Sequence, residues 1–94
     1  MIRSVLGKIA DKKLANLGLE KIEDSDYIVI YKRYNEKYEY VQRIDILSKT
    51  FGPSMVQSYD PTRMDKEYRN VCVGLTFKEI VAIGMKFISK GWEG

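Results

Sequence analysis

The sequence predicts an α+β domain over residues 1–94: an antiparallel β-sheet of about four to five strands, with an N-terminal helix and a C-terminal helix packed on one face. Two runs within residues 27–47 are rich in tyrosine, isoleucine and valine and alternate with period two, as a long hairpin requires. Thr76-Phe77-Lys78-Glu79 is a capping box, in which the threonine hydroxyl accepts from the third helical N–H and the glutamate reaches back to the cap. Strands do not alternate with crossover helices, so a doubly wound parallel sheet is not expected.

In chain order, Ile2, Val5, Leu6, Ile9, Leu14 and Leu17 keep nearly helical spacing and leave Arg3, Lys8, Lys12 and Lys13 largely to solvent. Gly18 stands where a glycine closes a helix, while Gly7 and Asp11 weaken its middle, so a kink or two shorter helices are open options. Leu19-Glu20-Lys21-Ile22-Glu23 alternates as a short strand does, and Asp24-Ser25-Asp26 supplies turn residues. The hairpin runs 27–34 and 38–47, with Tyr38, Tyr40, Gln42, Ile44 and Ile46 on the better core face. A three-residue loop at Asn35-Glu36-Lys37 puts Ile28, Ile30 and Tyr34 on that side and Arg33 opposite Glu39; a two-residue loop aligns Tyr27, Val29 and Tyr31 with it instead.

Lys49-Thr50-Phe51-Gly52-Pro53 reads as a turn, 54–59 as a third long strand, and 60–65, with Pro61, as an exposed polar loop. Residues 68–74 hold Val71, Cys72 and Val73, which suit a short strand or an extended lead-in to the last element, with a buried thiol. In the last helix Phe77, Ile80, Val81, Gly84, Phe87 and Ile88 recur at helical spacing. Lys78, Lys86 and Lys90 fall on the wet side, Leu75 is placed to staple Ile80, and Gly91 ends the helix. Phe77, Ile80, Val81, Phe87 and Ile88 are therefore expected to form the helical half of the core, facing Ile28, Ile30, Ile44 and Ile46.

The chemistry is constrained by what is missing. There is no histidine and one cysteine, Cys72, so the usual acid–base, nucleophilic and metal-binding groupings cannot be assembled. Asp24 with Asp26, or Asp60 with Asp65, offers carboxylate pairs, but each sits in a turn-like segment where aspartate serves the backbone. The seven glycines are scattered and form neither a phosphate loop nor a dinucleotide fingerprint. No catalytic residue, cofactor or metal is expected. Sixteen Lys and Arg against 13 Asp and Glu give a net charge of +3, too small and too dispersed for a dedicated nucleic-acid binder. Met1-Ile2-Arg3 opens no apolar run of signal-peptide length, and no stretch approaches the roughly 20 apolar residues of a membrane span, so a cytoplasmic protein without a membrane partner is expected.

The Tyr-rich hairpin, Gln57-Ser58-Tyr59-Asp60, Val73-Gly74-Leu75-Thr76 before the final helix, and the closing Lys90-Gly91-Trp92 resemble small uncharacterised proteins of Gram-positive bacteria and their prophages over residues 14–92. The resemblance implies a cytoplasmic accessory protein and transfers no functional residue.

Two short helices cover only one side of a long sheet, which leaves the other side to attract a partner. The expected interaction surface is Tyr31, Arg33, Val41 and Arg43 on the hairpin, engaging a second copy in a homodimer or another protein. The alternative is a platform on which single-stranded nucleic acid stacks, using Tyr27, Tyr31, Lys32, Arg33 and Arg43.

Overall fold

Ile2–Asn16 form one uninterrupted helix, α1, in the computed structural model, which describes residues 2–92; Met1, Glu93 and Gly94 lie outside the described residues. The chain then runs through five strands, β1 (Leu19–Asp24), β2 (Ile28–Tyr34), β3 (Tyr40–Leu47), β4 (Met55–Met64) and β5 (Asn70–Cys72), and ends in helix α2 (Phe77–Lys90). The strands form one antiparallel meander in sequence order. Both helices cover the same sheet face and run antiparallel to each other. Asp11 pairs with Lys86, and a Cβ on Gly7 would lie 3.3 Å from the Ser89 hydroxyl. Gly7 is thus where the helix backbones approach, and it does not kink α1.

The helix ends obey their local chemistry. Thr76 Oγ1 accepts from Glu79 N at 3.2 Å and Glu79 Oε1 accepts from Thr76 N at 2.7 Å, completing the capping box. Gly91 takes a left-handed conformation at φ 71° and closes α2, as Gly18 at φ 87° follows α1.

The hairpin register differs from the three-residue Asn35–Lys37 expectation. Asn35 N donates to Glu39 O and Tyr38 N to Asn35 O, so the loop is Glu36-Lys37-Tyr38. Beyond it Tyr34 pairs with Tyr40, but Arg33 pairs with Gln42, leaving Val41 as an extra residue. That bulge moves every later pair by one residue and exchanges the faces. Val29 and Tyr31, opposite Ile46 and Ile44, point to the helices; Ile28 and Ile30 point away.

The expected loop at 60–65 is also strand: β4 continues to Met64, and Pro61 sits where pairing with β5 lapses between Asp60 and Met64. A residue without an N–H is tolerated there because the ladder has no bond for it to make. Residues 62–70 are exposed, so the β4–β5 hairpin projects from the body. Its turn repeats that of the first hairpin. Asp65 Oδ1 accepts from Glu67 N and Arg69 N as Asn35 Oδ1 does from Lys37 N and Glu39 N. Tyr68 and Tyr38 hold the left-handed position at φ 59° and 60°.

The core comprises Leu14 of α1, Leu19 of β1, Val29 and Tyr31 of β2, Ile44 and Ile46 of β3, Ala82 and Ile83 of α2, and Trp92, with Leu75 and Phe87 packed at its margin. The helical half is therefore not the expected one. Of Phe77, Ile80, Val81, Phe87 and Ile88, only Phe87 packs on the core; Phe77 is 78% exposed, Ile80 52%, Val81 42% and Ile88 45%. The residues turned inward are Glu79, Ala82, Ile83 and Lys86.

Two measurements check this arrangement. Ile44→Ala should cost about 2–5 kcal/mol in urea unfolding, whereas Ile80→Ala should stay within about 0.5 kcal/mol, the reverse order being incompatible with the observed helix orientation. Tyr38→Gly and Tyr68→Gly should each raise stability by about 0.5–1 kcal/mol, the left-handed strain removed exceeding the entropy that glycine adds to the unfolded chain.

Candidate interaction surface

The inward side of α2 is fixed at both ends by charge. At its start, Glu79 Oε2 accepts from Arg33 on β2; the same guanidinium donates to Leu17 O, just past the end of α1, and to Gln42 Oε1 at 2.8 Å. One arginine thus joins the end of one helix, the start of the other and the sheet. Gln42 passes the chain on to Ser58 Oγ on β4 at 2.9 Å. Toward the other end, Lys86, 3% exposed, lies 3.0 Å from Asp11 Oδ1 and 2.9 Å from Asp24 Oδ2. Lys21 binds both carboxylates, Lys90 pairs with Asp24, and Tyr31 donates to Asp11 at 2.6 Å.

These bonds set the charge states. Burial pushes Asp11 and Asp24 upward, but hydrogen bonds from Lys21, Tyr31 and Lys86 to Asp11, and from Lys90, Lys86 and Lys21 to Asp24, hold both carboxyls below their usual range. Tyr31 is driven well above its ordinary value by burial, then by its bond to Asp11. The cluster holds carboxylates, amines and a phenol, yet each polar group is occupied by another. It ties α1, α2, β1 and β2 together.

Because about 3.6 residues make a turn, placing Glu79, Ala82, Ile83 and Lys86 against the sheet aims Phe77, Ile80, Val81, Gly84 and Ile88 in the opposite direction. On α1, Ala10 and Leu14 are buried and Ile2, Val5 and Ile9 are 79%, 56% and 40% exposed, while Lys8 and Lys12 stand opposite the buried pair. The outer face of α2 is therefore an apolar stripe, and α1 beside it exposes apolar side chains interspersed with lysines. Monomeric domains rarely leave so many large apolar side chains together in water. A groove of about 400 Å³ opens between the helices, walled by Leu17, Phe77 and Val81 with Lys13 and Lys78 at its lip.

The residues expected to form the binding surface do not share a side. Tyr31 is fully buried beneath the helices and Arg33 is the clamp already described, so both are structural. Val41 is the half-buried bulge residue. Arg43 lies on the uncovered face, where its Nε donates to Asp45 Oδ1 at 2.7 Å. Tyr59 donates to the other oxygen of Asp45 at 2.9 Å, and Lys32 lies 4.7 Å from the centre of the Tyr40 ring. That sheet face is thus roofed by its own polar side chains. Burial, then the bond to Asp45, pushes the Tyr59 phenol up to about 12.

Cys72, expected to be buried, is exposed. The aspartate pairs serve the fold: Asp24 is held by lysines, Asp60 accepts from Thr62 at 2.9 and 2.7 Å, and Asp65 caps its turn. Among the described residues no three potential metal ligands gather, and no helix is long and apolar enough to cross a membrane.

Neither protein-family models, nor curated proteins, nor solved structures give a match to this chain. The surface is accordingly read from its own geometry. The α2 stripe is legible in the apolar spacing, but it faces outward rather than into the core as expected. The signal that corrects it is the pair Glu79 and Lys86 on the other side of the helix, matched by Asp11, Asp24 and Arg33 on its neighbours.

The ionic clamps make stability depend on pH in two windows. Asp11 and Asp24 have depressed folded-state values, so their stabilisation is present above the unfolded value of about 4 and is lost as pH falls through the lower folded range. Tyr31 and Tyr59 have raised values, so theirs is present below the unfolded value of about 10 and is lost as pH rises toward the folded ones. Urea midpoints should therefore fall at both extremes, and Asp24→Asn should flatten the acid limb. Absorbance at 295 nm should show Tyr31 ionising only as the protein unfolds.

Proposed function

We propose that this chain is a non-catalytic protein-interaction domain that docks through the outer face of its α1–α2 layer. One observation carries the reading: α2 keeps Glu79 and Lys86 inside and presents Phe77, Ile80, Val81 and Ile88 to solvent, the reverse of a helix whose only task is to cover a sheet. The buried ionisable groups support binding over chemistry, because Asp11, Asp24, Lys86, Arg33 and Glu79 are engaged with one another. A cytoplasmic setting suits the exposed Cys72 thiol, which an oxidising compartment would tend to pair between chains.

The uncovered sheet face is the weaker candidate for protein or nucleic acid. Arg43 is committed to Asp45, and Glu20 and Glu23 on β1 stand on that side opposite Lys32 and Ile30. Acidic groups there work against a phosphate-tracking surface.

The test is a photo-crosslinking residue placed at Ile80 or at Gln57 of the full chain in cells. A discrete adduct from Ile80 and none from Gln57 is expected. Adducts from Gln57 alone would move the interface to the sheet and overturn the reading. The double variant Ile80→Ser/Val81→Ser should unfold within about 1 kcal/mol of the parent while losing the adduct formed from Phe77, separating docking from folding.

A further inference from the structure

We infer that the partner presents an acidic amphipathic helix, which crosses α2 at Gly84 and sets an apolar anchor in the groove between Leu17, Phe77 and Val81; this rests on the docking reading above. The first ground is charge. The two helices carry two carboxylates among the described residues, Asp11 and Glu79, and both are turned inward and paired. Their cations Arg3, Lys8, Lys12, Lys13 and Lys78 are exposed and make no ion pair with a described residue. Of these, Lys13 and Lys78 line the groove with Phe77 and Val81, so the charge beside the apolar stripe there is of one sign. Two copies brought together by this face would set like charges against each other, whereas a partner with carboxylates beside its apolar residues is attracted and oriented.

The second ground is Gly84. It sits in the middle of α2, on the outer stripe, and a Cβ there would meet nothing within 4 Å. Glycine is a poor helix former and nothing among the described residues requires it here, in contrast to Gly7, which faces Ser89. A bare position flanked by Ile80, Val81 and Ile88 lets a second helix backbone approach closely. The third ground is concavity: the groove of about 400 Å³ accepts a side chain, and the lysines at its lip, Lys13 and Lys78, lie where carboxylates flanking such an anchor would fall.

The test titrates the full chain, by fluorescence anisotropy, against two labelled helical peptides of roughly 20 residues, one with leucines along one face and glutamates elsewhere, the other with lysines replacing the glutamates. The glutamate peptide should bind, more weakly as salt rises from about 50 to 300 mM, and the lysine peptide should not. Phe77→Asp should lower affinity at least about tenfold, Lys13→Glu with Lys78→Glu about fivefold or more, and Gly84→Ala, which favours the helix and so poses no folding problem, about threefold or more. Equal binding of both peptides without salt dependence would overturn the acidic partner and leave the docking face standing. An unchanged affinity in Gly84→Ala would overturn the close crossing. Retention on phosphatidylglycerol vesicles with no peptide binding would replace the partner by an anionic lipid surface, and a dimer split by Phe77→Asp would replace it by a second copy. If peptides, vesicles and oligomeric state are all insensitive to Phe77→Asp, the docking reading falls together with the inference.

Discussion

The structure depends on a small set of buried ion pairs that decide which side of α2 meets the sheet. Lys86 reaches between the helices to Asp11 and Asp24, and Glu79 receives Arg33. Buried ion pairs need not add net stability, because desolvation offsets much of the attraction. They do discriminate between packings. If α2 were turned by half a revolution, Phe77, Ile80, Val81 and Ile88 would enter the core, and the hydrophobic gain would be considerable. That arrangement takes Lys86 from Asp11, Lys86 and Lys90 from Asp24 and Glu79 from Arg33, leaving only Lys21, Tyr31, Leu17 and Gln42 to partner them, while the observed one satisfies all three fully. The sheet was built for the polar side of the helix.

From this follows the division of labour within α2. Apolar contact with the core is made by Ala82 and Ile83 between the clamps and by Trp92 just beyond the helix, with Phe87 at the margin. Phe77, Ile80, Val81 and Ile88 are left over, and α1 buries Ala10 and Leu14 while exposing Ile2, Val5 and Ile9. Close approach at Gly7 and the shared arginine at the helix ends hold the two outer stripes in fixed relation. For the docking proposed above, a surface mounted on two clamped helices is pre-organised, so less conformational freedom would be lost on binding.

How much of this was legible in the sequence varied with the range of the interaction that decided it. The fold class, the capping box at Thr76 and the glycine ends at Gly18 and Gly91 are local and were readable. The faces were not, for two different reasons. In the hairpin, a single bulge at Val41 reverses the parity of every pair beyond it, and nothing in a run of β-branched and aromatic residues marks one of them as extra. In α2, hydrophobic periodicity correctly located a stripe but carries no information on whether it faces the chain's own sheet or another molecule. The binding surface expected at Tyr31 and Arg33 failed through the same hairpin parity. The turn at Asp65 was readable in principle, since Asn35-Glu36-Lys37-Tyr38-Glu39 and Asp65-Lys66-Glu67-Tyr68-Arg69 place the same residue classes at the Asx and left-handed positions.

The proposed docking would also tie folding to association. With its largest helical apolar residues outside, the domain rests on a core of modest size, and small domains have little stability in reserve. A partner that binds only the folded form adds to that reserve by mass action, about 2.7 kcal/mol at a hundred times its dissociation constant. The bound domain is then protected from unfolding far better than the free one. Because the polar clamps already fix the helix orientation, the proposed docking would bring this gain without rearrangement of the core, the outward face being in place in the free protein.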